Sequence, residues 1–130
     1  MTNAQLMDLA KEARNMAYAP YSHFLVGAAI LAEDGRVFTG CNVENASYGG
    51  TICAERTAAV KAVSEGCKSF KTIAVATSSG EWGAPCGLCR QFLYEFMPEG
   101  NVLMWDDAKG IKEMPLKELL PMGFRGEDIK

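Results

Sequence analysis

Cys53-Ala54-Glu55-Arg56 and Pro85-Cys86-Gly87-Leu88-Cys89 are the two stretches around which this chain is organised. A zinc site built from thiolates needs sulfur donors that converge, and a C-x-x-C step supplies two of them from one turn of backbone. The sequence offers three such donors, Cys53, Cys86 and Cys89, and no obvious fourth ligand. Three protein ligands and one open position are typical of a catalytic zinc, which activates water near neutral pH. The two stretches therefore predict a hydrolytic zinc site.

Glu55 follows the first of these thiols by two residues, close enough to handle protons beside the metal. An acid in the first turn of a helix also interacts favourably with the helix dipole, which is the alternative explanation for this residue. Beside three cysteines we favour the proton-transfer role, with Glu55 as the catalytic residue. Arg56 and Gln91 are candidates to donate hydrogen bonds to the sulfurs and offset the charge of three thiolates, with solvent exposure as their alternative.

The composition fits one globular domain. The chain has 130 residues, 48% of them hydrophobic, so we expect a single domain over residues 1–130 with a core of its own. The formal net charge is -3, which lacks the basic balance of nucleic-acid-binding domains, so we expect no nucleic-acid partner. The first residues do not form a basic and apolar leader, and no apolar run approaches the ~18 residues of a membrane span. We therefore expect a cytoplasmic protein that does not associate with membranes.

We predict structural roles, and not metal binding, for the remaining cysteines and the single histidine. The five cysteines are an odd number without a secretory leader, which argues against a disulfide framework. Cys41 ends an apolar run and Cys67 follows a glycine that ends a helix, so we assign both a structural role. His23 has no second histidine to accompany it as a ligand, and we expect it at the surface or in packing contacts.

Hydrophobic spacing and turn signals predict an α/β domain. The predicted helices cover residues 3–18, 53–64, 86–96 and 115–120, and the predicted strands cover 26–31, 37–41, 73–76 and 102–105. The first two strands flank the turn Glu33-Asp34-Gly35-Arg36, so they are expected to form an antiparallel hairpin. This order of elements predicts a mixed sheet covered on both faces, in a three-layer α/β/α domain.

The motifs also resemble those of a known enzyme family. The pattern H-x-E…P-C-x-x-C is a zinc-deaminase signature in which cysteine can take the first position, as Cys53 does here. Over most of its length the chain resembles the short, homotetrameric cytidine deaminases of nucleotide salvage, within the cytidine/deoxycytidylate deaminase superfamily. The segments that carry the resemblance are residues 18–22, 24, 26–29, 40–46, 53–56, 85–87, 89–91 and 119–121.

The resemblance implies a fold, a reaction and an assembly. The fold would be the cytidine deaminase-like α/β/α arrangement around a mixed, about five-stranded sheet. The reaction would be zinc-dependent hydrolytic deamination of cytidine and 2′-deoxycytidine to uridine and 2′-deoxyuridine, with one Zn²⁺ per chain held by Cys53, Cys86 and Cys89. The assembly would be a homotetramer with its sites at subunit interfaces, which composition and spacing alone do not indicate.

The resemblance also implies how a nucleoside would be bound. The residues that it assigns to substrate binding are Phe24, Asn42, Glu44, Ala54, Tyr48 and Phe124. Asn42 and Glu44 would hydrogen-bond the ribose, Phe24 would pack on the pyrimidine, and the Ala54 N–H would meet the base carbonyl. Phe124 would reach the site of a neighbouring subunit.

Two segments depart from the family's usual pattern, and one further residue is placed by the resemblance. Ala84 stands where family members often have Ser or Thr before the proline, and residues 49–52 are an unusual approach to Cys53. Neither segment contains a predicted zinc ligand. The departures therefore concern the rigidity of the loops and not the expected reaction. The resemblance also places Tyr48 near a subunit boundary.

Three other functions share part of this pattern. A deaminase of an aminopyrimidine nucleoside antibiotic has the same zinc motifs, and the Asn42, Glu44 and Phe124 positions favour cytidine over it. A deaminase that edits tRNA or DNA needs a phosphate-binding surface, which the acidic balance disfavours. A non-catalytic zinc-stabilised module would have a closed four-ligand site, and a dithiol redox site would need neither Cys53 nor Glu55.

Overall fold

The computed structural model describes residues 1–129 of the chain, and Lys130, the last residue of the expected domain, lies outside the described residues. The helices are α1 (Asn3–Arg14), α2 (Ala54–Ser64), α3 (Gly87–Tyr94) and α4 (Leu116–Leu119). The strands are β1 (Val26–Ala32), β2 (Val37–Cys41), β3 (Phe70–Thr77), β4 (Asn101–Asp106) and β5 (Gly110–Pro115). Short 3₁₀ turns cover Tyr48–Gly50 and Gly126–Ile129. None of these helices combines the length and apolar character that crossing a bilayer would require.

The strands form one mixed sheet in the order β2-β1-β3-β4-β5. Only β3 and β4 pair in parallel, and the other neighbours are antiparallel. The expected mixed, five-stranded sheet is therefore confirmed. Hydrophobic spacing did not predict β5, because buried and exposed residues do not alternate along this edge strand. Lys112 and Glu113, at its centre, are both exposed. The short helix predicted over residues 115–120 is confined to α4, since Pro115 still belongs to β5.

The first helix is shorter than its apolar spacing predicted. Its N-cap is Thr2, whose hydroxyl accepts from the Gln5 N–H at 3.1 Å while the Gln5 side chain accepts from the Thr2 N–H. It ends at Arg14 instead of Tyr18. Tyr18 instead pairs with the segment after β2, donating to the Asn42 carbonyl at 3.0 Å, so the chain leaves the helix to reach it.

Helices cover both faces of the sheet, which confirms the three-layer arrangement. Helix α1 packs on one face, where its buried residues include Leu6, Met7 and Ala10. Helices α2, α3 and α4 lie on the other face in a second hydrophobic cluster. Helix α2 meets this face through alanines, which allows its backbone to approach the sheet closely. A Cβ built on Gly40 of β2 would lie 2.5 Å from the backbone nitrogen of Ala58.

Candidate active site

The N-termini of α2 and α3 bring the three predicted thiols together. Cys53 is the N-cap of α2, Cys86 is the N-cap of α3, and Cys89 lies buried in the first turn of α3. The Sγ atoms of Cys53 and Cys86 are 3.8 Å apart, and all three sulfurs lie within 4.8 Å of one another. Helix N-termini favour thiolates because their N–H groups and positive dipole ends face the sulfur. The three cysteines thus form one cluster where the N-termini of α2 and α3 meet.

The geometry and chemistry of the cluster fit zinc. For Zn–S bonds of about 2.3 Å, tetrahedral coordination places neighbouring sulfurs about 3.8 Å apart, the separation of Cys53 and Cys86. Thiolates are soft donors of the kind that zinc takes in its redox-inert sites. Within residues 1–129, the group of potential ligands comprises these three cysteines, so Cys41, Cys67 and His23 stand outside it. A tetrahedral ion bound here would have a fourth position that this group does not fill.

Hydrogen bonds shift the pKa values of the Cys53 and Cys89 thiols in opposite directions. The pKa of Cys53 is lowered to about 5, mainly because its sulfur accepts from the Cys89 thiol and also because Arg56 is close, while partial burial opposes the shift. As the donor of that hydrogen bond, Cys89 has a raised pKa. The Arg56 guanidinium lies 3.8 Å from the Cys53 sulfur and donates to the Thr51 carbonyl at 3.2 Å. Arg56 is therefore placed where a cation offsets thiolate charge.

Glu55 is enclosed next to this cluster. Its exposed fraction is only 4%, and it lines the same cavity as Cys53 and Cys86. Burial raises the pKa of Glu55 to about 7, and the nearby Cys53 thiolate adds to the rise, while its own backbone N–H and Arg56 oppose it. A carboxyl group with a pKa near 7 both accepts and releases protons at neutral pH.

The cavity above the cluster has a volume of about 340 Å³ and is mostly apolar. Phe24, Asn42 and Glu44 also line it, so three of the residues assigned to substrate binding share one space with Glu55. Ala54 is fully buried at the start of α2, where its N–H is one of the first-turn donors that a helix leaves without an internal partner. A cavity with an apolar wall and a few polar groups is typical of small-molecule sites.

Asn42 is held rigidly in this wall. The side-chain oxygen accepts from the Val26 N–H at 2.9 Å, and the side-chain nitrogen donates to the Phe24 carbonyl at 2.8 Å. A primary amide has two hydrogens and two lone pairs. One hydrogen and one lone pair of Asn42 therefore remain for a ligand, in an orientation fixed by β1.

Glu44 is anchored by the segment before β1. Its carboxylate accepts from the N–H groups of Tyr21 at 2.9 Å and Ser22 at 3.1 Å, and from the Ser22 hydroxyl. The Ser22 hydroxyl is the largest cause of a lowered pKa at Glu44, against a smaller opposing effect of desolvation. Glu44 is therefore an ionised acceptor at neutral pH.

Tyr48 lies just outside the main cavity. It lines a second space of about 320 Å³ together with Tyr21, and the two rings meet edge to face with their centres 5.7 Å apart. This second space shares Ser22, Glu44 and Thr51 with the main cavity. Tyr48 is 74% exposed, so most of its surface is open to solvent in the single chain.

Gln91 and Phe124 lie together, away from the cavity of their own chain. The Gln91 side chain donates to the Phe124 carbonyl at 2.6 Å and accepts from the Phe124 N–H at 3.4 Å. The amide oxygen and nitrogen of Gln91 thus both hydrogen-bond the C-terminal segment, whereas the sequence made Gln91 a candidate donor to the sulfurs, with solvent exposure as the alternative. In this chain α3 turns Gln91 toward residue 124.

Several residues of the cavity wall were not singled out from the sequence. Ser22 and Thr51 line the cavity near Glu44, and Thr77 and Gly83 line it near the end of β3. Ser22 falls inside the 18–22 segment that carried the family resemblance, so a signal for it existed. Thr77 and Gly83 have no such signal, because only the fold brings the end of β3 to the cysteines.

Comparison with known proteins bears out the resemblance. Residues 1–104 match the family model described as the cytidine and deoxycytidylate deaminase zinc-binding region. The chain belongs to this deaminase family. It is 48% identical over 126 residues to a cytidine deaminase of Sporosarcina psychrophila, covering 96% of this chain and 93% of that protein. It is 51% identical over 124 residues to a probable cytidine deaminase of Dictyostelium discoideum, with coverages of 95% and 84%.

Solved structures of the deaminase family agree with the fold. The structure of a cytidine deaminase from Burkholderia pseudomallei superimposes with a TM-score of 0.90 at 46% identity, covering 95% of this chain and 100% of that one. A cytidine deaminase from Mycobacterium tuberculosis gives a TM-score of 0.83 at 40% identity, with coverages of 95% and 98%. The three-cysteine cluster falls inside the matched zinc-binding region, which confirms zinc as the cofactor of this deaminase-family chain.

Proposed function

We propose that this deaminase-family protein catalyses the zinc-dependent hydrolytic deamination of cytidine and 2′-deoxycytidine to uridine and 2′-deoxyuridine, with release of ammonia, in pyrimidine salvage. The observation that carries the proposal is the enclosure of Glu55, 4% exposed, in one cavity with Cys53 and Cys86. The family membership and the names of its close relatives support it.

In this reaction Cys53, Cys86 and Cys89 hold the metal, and Glu55 moves the protons. Zinc, when bound, supplies the Lewis acidity that makes water a nucleophile toward C4 of the cytosine ring near neutral pH. Glu55 takes the proton that the water loses, passes it to N3 of the ring, and helps to move a second proton to the departing amino group. Burial of Glu55 keeps bulk water from competing for these protons. Arg56 offsets the negative charge of the sulfurs.

The nucleoside is held by groups that line the same cavity. At the ribose the Asn42 amide donates and accepts hydrogen bonds and the Glu44 carboxylate accepts them, while Phe24 packs on the pyrimidine. The Ala54 N–H meets the base carbonyl from the first turn of α2. A site built to hydrogen-bond a substrate hydroxyl discriminates strongly against analogues that lack it.

The charge of the cavity supports a nucleoside as substrate over a nucleotide. Among the residues described by the structure, those that line the cavity include no Lys or Arg, while Glu44 and Glu55 contribute acidic groups. A phosphate needs cationic or N–H donors to offset its charge. The net charge of -3 likewise disfavours a polynucleotide substrate.

We propose further that the protein is cytoplasmic, that residues 1–130 form one domain, and that four copies assemble with their sites at subunit interfaces. The exposure of two aromatic residues assigned to the site supports the assembly: Tyr48 is 74% exposed and Phe124 is 56% exposed. Phe124 is outside the cavity of its own chain, so its assigned role requires a neighbouring copy.

The function is tested by measuring zinc content and substrate loss on the same preparation. We expect about one zinc per chain, loss of cytidine absorbance in the ultraviolet, and one ammonia released per cytidine consumed. The substrate panel contains 2′-deoxycytidine, free cytosine, 2′-deoxycytidine monophosphate and an aminopyrimidine nucleoside antibiotic. A protein that contains zinc but does not turn over cytidine would contradict the proposal. Preferential turnover of the antibiotic would instead identify an antibiotic nucleoside deaminase.

A further inference from the structure

The loop of residues 78–84 forms part of the cavity wall. It connects β3 to α3, and its last residues, Gly83 and Ala84, line the cavity immediately before Pro85 and Cys86. The loop lacks the internal hydrogen-bond ladder of a helix or strand, so contacts from elsewhere must fix its position. Where this loop lies therefore decides the width of the cavity beside the metal cluster.

Trp82 attaches the loop to the β4–β5 hairpin. The indole N–H donates to the Gly110 carbonyl at 3.0 Å. The ammonium groups of Lys109 and Lys112 lie 5.2 Å and 5.0 Å from the centre of the indole ring. In sequence these two lysines lie on either side of Gly110. Trp82 is partly buried and packs against the larger hydrophobic core cluster. The hairpin therefore holds this side chain by a hydrogen bond and two cation–π contacts, and the core adds apolar packing.

Gly83, which follows Trp82 in the loop, lines the cavity. A Cβ on Gly83 would lie 2.6 Å from a methyl group of Thr77, which also lines the cavity. Gly83 thus lies directly against the Thr77 side chain at the end of β3, which would have to shift to admit a side chain at residue 83. One peptide unit separates the anchor at Trp82 from this contact, so a shift of the indole would move the wall.

A second contact holds the start of the same loop. The Asp107 N–H donates to the Gly80 carbonyl at 2.8 Å. The hairpin therefore contacts the loop at two residues, Gly80 and Trp82. Gly80 has a φ of +70°, and a Cβ there would collide with the Asp107 carboxylate. The hairpin tip lines no part of the main cavity, yet it fixes the loop that does.

We propose that Trp82 is a positioning residue that sets the affinity of the site for the pyrimidine nucleoside, by holding the Gly83–Ala84 wall from the β4–β5 hairpin. The inference rests on the proposed function, which supplies the ligand. Trp82 does not line the cavity and takes no part in the proton transfers. Its effect therefore falls on the binding of cytidine and not on the chemical step.

The first test compares two variants that each lose one side-chain hydrogen bond to a backbone carbonyl. Trp82→Phe keeps an aromatic ring but removes the hydrogen bond to Gly110, and we expect KM for cytidine to rise by about two- to tenfold, the range for one hydrogen bond. We expect kcat and zinc content to remain unchanged. The matched control is Ser64→Ala, which removes a hydroxyl hydrogen bond of 2.8 Å to the Lys61 carbonyl in the last turn of α2, outside the loop and the hairpin. We expect its KM to equal that of the wild type.

The second test reads the position of Trp82 without turnover. The chain has two tryptophans, so Trp105→Phe leaves Trp82 as the single indole emitter. We expect uridine, the product, to change the emission of this variant with saturation, because a ligand against the Gly83–Ala84 wall alters the surroundings of the adjoining indole. Free ribose at the same concentration is the control and should leave the emission unchanged.

The outcomes separate this inference from the proposed function. If the wild type turns over cytidine and folded Trp82→Phe has an unchanged KM, or a kcat that falls with KM unchanged, the positioning role is wrong. If Trp82→Phe does not fold, the emission test decides, and an unchanged emission on saturation with uridine overturns the role. Failure of the wild type to turn over cytidine is instead a failure of the proposed function.

Discussion

The sulfur atoms of Cys53 and Cys86 lie 3.8 Å apart although the two cysteines are 33 positions apart in the chain. Each is the N-cap of a helix, with an extended backbone conformation. The Cys86 sulfur also accepts from the Cys89 N–H in the first turn of α3. The metal site is therefore a consequence of where two helices begin.

Replacing Glu55 tests the proton-transfer role. In Glu55→Gln the amide keeps the size of the side chain but cannot accept the proton, so we expect kcat to fall by about 10²- to 10⁴-fold. Zinc content and the affinity for uridine should stay close to wild type. Glu12→Gln on the exposed side of α1 is the matched control. Turnover retained in Glu55→Gln would contradict the assignment.

Removing a thiol tests metal ligation. We expect Cys86→Ser to lose most of its zinc and to unfold at a lower temperature, because zinc bound only to the native state stabilises it by about 4 kcal/mol when free zinc is 1,000 times Kd. A chelator should lower Tm of the wild type and leave that of Cys86→Ser unchanged. Cys41→Ser, outside the cluster, should keep its zinc. A fully metallated Cys86→Ser would exclude ligation by this residue.

Truncating Glu44 tests recognition of the ribose. We expect Glu44→Ala to raise KM for cytidine by about tenfold or more while changing turnover of free cytosine far less, since only the nucleoside has the hydroxyls that Glu44 would bind. Equal losses for the two substrates would refute the ribose role. Ser22→Ala is the control for loop anchoring, because it removes one contact to Glu44 and leaves the carboxylate in place.

The pH dependence of binding should follow the ionisation of Glu44. Its pKa lies below the ordinary value, chiefly because of the Ser22 hydroxyl, so the charged form persists as the pH falls to about 5. Glu55, with its pKa of about 7, titrates in both proteins, so the readout is the ratio of KM in Ser22→Ala to KM in the wild type. We expect this ratio to rise only as the pH falls toward the range in which Glu44 becomes protonated. In Ser22→Ala the pKa moves up, and the rise in KM should begin at a higher pH. Superimposable KM–pH profiles would rule out this coupling.

The contact between β2 and α2 should be intolerant of added volume. In Gly40→Ala the new methyl group would lie 2.5 Å from the Ala58 nitrogen and 2.7 Å from the Ala54 carbonyl, both backbone atoms. We expect the free energy of unfolding in urea to fall by about 1–3 kcal/mol and zinc affinity to weaken, because α2 must shift and carry Cys53 with it. Gly49→Ala, with open space around its Cβ, is the control. Unchanged stability and zinc affinity in Gly40→Ala would contradict this close packing.

The sequence by itself determined the metal cluster and the type of chemistry. A C-x-E stretch and a C-x-x-C stretch name the ligands and the acid directly, because ligand type and local spacing are properties of the sequence. The hairpin of β1 and β2 could also be predicted, since the D-G turn and the alternation around it are local signals.

The tertiary structure decided what depends on contacts between distant segments. The early end of α1 at Arg14 and the use of Gln91 on Phe124 each result from a partner that lies far away in sequence. The edge strand β5 pairs with its neighbour β4, and the sequence did not reveal it because the centre of this strand is exposed. The burial of Glu55 and the anchoring of the Trp82 loop are of the same kind, because both arise only when the layers pack. Local patterns specify which groups are present, whereas packing specifies which of them lose contact with water and which meet.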